Sequence, residues 1–213
     1  MKFSHALLGA TALVASVSAQ AAVVSYTDRA SFSAALSSST TDTYEGISPS
    51  GSQSYFGNQY NGNGYTMVDP GNAVFIQDSL FYGIGNWGLG DILTFSRGGT
   101  VTFTFDTPIT ALGIDLFTTE PGGDTVALNS AVLSTIIDVP NTTFATAFFG
   151  FTSSTGFSSF TLNAVNSNTY VKFSDLTFGT AAGPAEVPEP GALLLLGSGV
   201  LALTAARRRR KRS

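Results

Sequence analysis

The chain has 213 residues, no cysteine, a single histidine (His5) and a formal net charge of −4. Six of its ten bases lie at 207–212 and one is Lys2, so between residues 22 and 186 only Arg29, Arg97 and Lys172 face thirteen acids, a net −10. A body so acidic repels nucleic acid, and one without His or Cys holds no Ser-His-Asp or Cys-His nucleophile, no His/Cys zinc site and no disulfide.

Residues 1–21 carry a basic start (Lys2), an apolar run at 6–15 and Ala19-Gln20-Ala21, a small-x-small pattern. These three parts in order read as a secretory signal peptide cleaved after Ala21, with a helix too short to span a bilayer comfortably. Val23-Val24-Ser25-Tyr26 reads as a first strand. Thr27 or Asp28 then caps a short helix over 29–36, whose Phe32 and Leu36 share a face, and residues 37–41 end it.

From Asp42 onward the pattern is β. A turn-rich stretch at 48–52 follows Tyr44-Glu45-Gly46, and 55–65 reads as a loop of Gly, Asn and aromatic residues. Strands are predicted at 73–77 and 91–95. Thr100-Val101-Thr102-Phe103-Thr104-Phe105 alternates with a period of two, so Val101, Phe103 and Phe105 face a core. Pro108 restarts the chain, and Leu112, Ile114 and Leu116 line one face of the next strand. Further strands are predicted at 126–128, 133–139, 145–151, 157–162 and 170–178. Many short strands after one short helix predict an all-β fold, an antiparallel β-sandwich, with an up-and-down barrel as the alternative. Residues 22–179 form this domain and 180–186 a small-residue linker.

The C-terminus has its own grammar. Val187-Pro188-Glu189-Pro190 precedes sixteen mostly apolar residues at 191–206, then the Arg/Lys block at 207–212. Sixteen residues make a marginal membrane helix against the ~20 needed. The basic block holds the C-terminus in the cytoplasm and leaves the acidic body outside, which by itself also suits a plain tail anchor or stop-transfer helix. These residues resemble the PEP-CTERM sorting signal of Gram-negative exported proteins, which also begin with a signal peptide. The resemblance implies recognition by an exosortase, a membrane-embedded protease that cuts near Pro188-Glu189-Pro190 and delivers the body to the cell surface or exopolysaccharide matrix. The prolines suit such a role, since they keep the motif extended and out of the helix. Residues 187–213 form this unit, and the membrane association it implies is transient.

The body resembles jelly-roll sandwiches akin to carbohydrate-binding modules, through Tyr44-Glu45-Gly46-Ile47-Ser48-Pro49, the run from Val101 to Gly113, Phe149-Gly150-Phe151-Thr152-Ser153 and Asp175-Leu176-Thr177-Phe178. It implies a structural Ca²⁺ held by Glu45 and Asp175 with backbone carbonyls, oxygen ligands being the kind this body offers, and the opposing reading is two solvent-facing carboxylates. Tyr55, Phe56, Tyr60, Tyr65 and Trp87 lie in or near polar glycine-rich stretches. Trp87 and Tyr60 are the rings singled out for stacking on polysaccharide, the opposing reading being that such rings plug the ends of the sandwich. Gly83-Ile84-Gly85-Asn86-Trp87-Gly88 has the G-x-G-x-x-G spelling, but a strand rather than a helix is predicted after it, so it reads as a loop. Lys172 reads as a solvated edge residue. The expected function is that of a non-enzymatic surface or matrix protein; the alternative is a secreted glycan-active enzyme using two carboxylates.

Overall fold

A computed structural model describes residues 21–71, 73–81, 91–95, 99–117, 124–139, 146–165 and 170–183. The expected leader helix, the hydrophobic helix at 191–206, the sorting motif and Trp87 lie outside these residues. Among the described residues no helix is long and apolar enough to cross a membrane.

Two long strands organise the molecule: β8 (Thr100–Phe117) and β11 (Thr146–Ala164), which pair antiparallel along most of their length. Their register breaks between Thr152 and Ser159, opposite residues 104–111 of β8. At this corner both strands pass from one layer to the other. In the first layer the N-terminal half of β8 pairs with β5 (Tyr65–Val68), which pairs with β4 (Gln59–Gly62). The C-terminal half of β11 pairs there with β9 (Asp124–Ser130), and β9 with β10 (Ser134–Val139).

In the second layer the other half of β11 carries β1 (Val23–Tyr26), and the other half of β8 carries β12 (Val171–Ala181). The free side of β12 is shared by β7 (Ile92–Phe95) near its start and β2 (Leu36–Asp42) near its end. From β7 the layer continues through β6 (Val74–Gln77) to β3 (Gln53–Gly57). The all-β antiparallel sandwich expected from the strand pattern is therefore present, its layers made continuous by the two bent strands.

The core is an aromatic stack between the layers. Phe103 and Phe160, cross-strand partners, lie 4.3 Å apart and nearly parallel. Phe103 meets Phe173 edge-on at 5.6 Å, and Phe105 meets Phe178 at 4.9 Å across the two layers. Val101, Phe103, Phe105, Leu112, Ile114 and Leu116 are all buried, as their alternation predicts. The outer face of the second layer is covered by α1 (Arg29–Ala34), capped by the Asp28 side chain on the Ser31 N–H. Its Phe32 fits over the cross-strand pair Gly113 and Gly150, where an added Cβ would come within 2.6 and 2.8 Å of the ring.

Several local expectations give way. The helix stops at Ala34, and residues 37–41 belong to β2, because their backbone pairs with β12 although their side chains bury little. The stretch 55–65 contains strands rather than one loop: turn residues at 63–64 close a β4–β5 hairpin. Pro108 lies inside β8, at the corner, where it does not restart the strand. The runs 145–151 and 157–162 merge into β11, and β12 reaches Ala181, past the expected start of the linker. Lys172 is not a solvated edge residue: it lies inside β12 between β7 and β8, 2% exposed, with its ammonium 5.8 Å from the Tyr170 ring centre.

Candidate functional site

The sandwich concentrates its polar chemistry around the middle of β12. A bulge between Ser174 and Thr177 breaks its pairing with β8, and Asp175 takes a left-handed backbone conformation (φ 48°) there. Arg29, projecting from α1, fills the outer side of this bulge. Its guanidinium donates to the Asp115 carboxylate (Nε 2.9 Å), the Thr177 hydroxyl (2.9 Å) and the Asp175 carbonyl (2.9 Å), and its Cζ lies 4.9 Å from the Phe148 ring centre. Thr177 and Thr41 hydroxyls, 2.9 Å apart, extend the network to β2. Burial pushes the Asp115 carboxyl upward, and Arg29 opposes that shift.

Asp42, next along β2, points the other way. The Tyr65 hydroxyl donates to its carboxylate (2.9 Å) and lies 3.0 Å from the Tyr44 hydroxyl, while the Tyr44 N–H donates to the same carboxylate (3.1 Å). Tyr44 is held at φ 58°. Burial drives the Tyr44 and Tyr65 phenols far upward, and Tyr60 up to about 12. Protonated phenols closed into a core serve to satisfy one another's hydrogen bonds, which is structural chemistry.

A third centre lies beside the bulge. Asp91, 2% exposed, accepts from the Ser79 N–H (3.3 Å), and its backbone carbonyl accepts from the Ser174 hydroxyl (3.0 Å). Its second carboxylate oxygen has no hydrogen-bond partner. Burial first, then the charge of Glu45, push its carboxyl upward. At this exposure Asp91 is closed to a substrate, so the Asp91–Glu45 pair does not supply the two accessible carboxylates that glycoside hydrolysis uses.

The residues singled out in the sequence are scattered over this architecture. Glu45 is exposed and Asp175 half-buried; the fold sets Glu45 in electrostatic contact with Asp91, while the Asp175 carbonyl is occupied by Arg29. Among the described residues no group of three acids is arranged to hold a metal ion. Tyr60 is not a surface platform: its ring is 9% exposed and packs edge-on against Tyr44 and Phe56. Tyr65 is buried too. Tyr55, by contrast, is 55% exposed on β3, beside Phe75. Ala21 begins the described body, whereas Ala19, Trp87 and Val187-Pro188-Glu189-Pro190 lie outside it. The Arg29 and Asp42 networks were missed in the sequence. Only the scarcity of bases in the body hinted at Arg29.

Residues 186–210 match the PEP-CTERM protein-sorting motif. The PEP-CTERM motif thus begins just beyond β12 and includes the apolar run and most of the basic block. No curated protein matches the chain. Among solved structures it is similar to a mutant of a family 29 carbohydrate-binding module studied for ligand recognition. Identity is 14%, coverage is 65% of this chain and 99% of that one, and the TM-score is 0.33. A second family 29 module gives 12% identity, 61% and 90% coverage, and a TM-score of 0.32. The sandwich described above rests on its own strand pairing.

Proposed function

We propose that this protein is a non-enzymatic component of the cell surface or extracellular matrix, exported by its leader and processed by an exosortase at the PEP-CTERM motif. The observation that carries the reading is the match at 186–210, which follows a folded body and takes in four of the chain's ten bases. The apolar run would hold the precursor in the membrane with the basic block inside. Cleavage near Pro188-Glu189-Pro190 would remove both and leave an acidic, soluble sandwich.

The same reading gives the body an adhesive role towards extracellular polysaccharide. Tyr55 supports it as an exposed ring on β3, with the exposed amide of Gln53 two residues away on the same strand, a surface able to stack on and hydrogen-bond a sugar. Replacing Pro188, Glu189 and Pro190 by alanine in the native host tests the sorting role. The expected result is full-length protein accumulating in the membrane fraction; unchanged release would overturn it. For the adhesive role, Tyr55→Ala should weaken retention on the host's isolated exopolysaccharide, and equal retention of both forms would count against it.

A further inference from the structure

The sandwich leaves both ends of its body at one place. Ala22 is tied to Ser154 at the β11 corner, its N–H on the hydroxyl (2.9 Å) and its carbonyl on the Ser154 N–H (3.0 Å). At the other end the Ala181 N–H donates to the Thr110 hydroxyl (2.8 Å) and the Ala182 N–H to the Ala35 carbonyl (2.8 Å). Ala22, Val24, Thr110, Ser154, Ala181 and Gly183 line one shared groove of about 560 Å³. The leader precedes it and the PEP-CTERM motif follows it.

This corner also differs in charge from the rest of the body. Ala, Ser, Thr and Gly dominate it, and Asp106 is the acid on its strand segments. The other half of β12 gathers acids: Asp42 pairs with Leu176, Asp115 with Ser174, and Asp91, with Glu45 and Asp78 beside it, receives the Ser174 hydroxyl, with Asp175 between them; Arg29, paired with Asp115, and Lys172 offset only part of this charge. Asp138 and Thr125 sit at the ends of β9 and β10 remote from the corner.

We infer that this weakly charged corner is the membrane-facing pole of the anchored precursor and that the acid-rich half points away from the bilayer. The inference rests on the sorting reading proposed above. From Gly183 to Gly191 the chain has eight peptide steps, at most ~28 Å fully extended, and Pro188 is within ~18 Å of the groove. A tether that short keeps the corner close to the lipid. An Ala/Ser/Thr surface with Asp106 as its acid meets less repulsion from anionic headgroups than the half that carries Asp42, Glu45, Asp78, Asp91, Asp115 and Asp175. The exosortase would therefore work in the narrow gap between this pole and the membrane.

The absence of cysteine makes the orientation measurable with single labels. Thr155→Cys marks the corner and Val165→Cys the opposite end of β11; both side chains are exposed. Full-length precursor carrying either label would be reconstituted into phosphatidylethanolamine–phosphatidylglycerol liposomes containing a headgroup-linked energy acceptor. With ~3.3 Å per strand residue between the two sites, transfer from the Thr155 label should exceed that from the Val165 label by roughly twofold or more. Equal or reversed transfer in protein that floats with the liposomes would overturn the inference and leave the sorting reading standing. Full-length protein that fails to float, or floats equally well without residues 191–206, would overturn both.

Discussion

Arg29 shows how much one residue can organise in a body with so few bases. It joins α1 to Asp115, Thr177 and the Asp175 carbonyl, so it fixes the helix and the β12 bulge together. Truncation leaves Asp115 largely buried without its partner, which costs about 1–3 kcal/mol for an unsatisfied buried group. Arg29→Ala should therefore lower Tm by several degrees, and Arg29→Ala combined with Asp115→Asn should recover part of the loss in thermal melts. Asp91 has the opposite problem, a carboxylate buried beside Glu45 and Asp78 with one oxygen unpartnered. Because its carboxyl is raised in the fold, its contribution to stability is present below the unfolded pKa and is lost as pH rises through the folded one. Asp91→Asn should accordingly raise Tm at pH 7 and by less at pH 4; a lower Tm at pH 7 would contradict this. For Tyr60 the sign is the same. An unfolded tyrosine ionises near 10 and the folded one near 12, so stability falls as pH rises between them. Tyr44 and Tyr65 add to that loss. Alkaline titration followed by tyrosine absorbance should show late ionisation coincident with unfolding. Little of this residue-scale chemistry was legible in the sequence, since Asp42, Tyr44 and Tyr65 carry no local signal of their meeting; the fold alone unites them.

At the scale of elements, legibility followed burial. Strands with one buried face, such as the first half of β8, announce themselves by alternation, because every second side chain must leave water. β2 has no such face. Its Ser/Thr side chains stay largely outside the core, and its stability comes from backbone pairing with β12, which no composition reports. The β4–β5 hairpin was obscured by its Gly and Asn residues, which mark turns but do not say how closely the flanking strands pair. Pro108 misled for a related reason: it ends a straight strand but is tolerated where a strand bends. The β2–β12 contact depends on Gly179, where an added Cβ would come within 2.1 Å of the Ser38 carbonyl oxygen. Gly179→Ala must push the two backbones apart, and overpacking of this kind costs about 1–3 kcal/mol or more. Hydrogen exchange should show β2 amides losing protection in that variant while β9 and β10 keep theirs. Uniform protection across β2 would mean that the contact is not needed.

For the whole molecule, the chain divides into a folded body and a C-terminal sorting motif. The body is an aromatic-cored sandwich with a weakly charged corner and an acid-rich half, and residues 186–210 match the PEP-CTERM protein-sorting motif. That motif was legible in the sequence because short apolar and basic blocks act through order and composition, with no need of tertiary structure. The role proposed for the body was not, because it depends on which aromatic rings remain outside: Tyr60 was drawn into the core and Tyr55 left exposed. The most direct test is mass spectrometry of the protein recovered from the surface or matrix of its native host, reading both mature termini. An N-terminus at Ala22 and a C-terminus near Pro188-Glu189-Pro190, with residues 207–212 gone, is the predicted result. A surface-located mature form that retains the Arg/Lys block would contradict it.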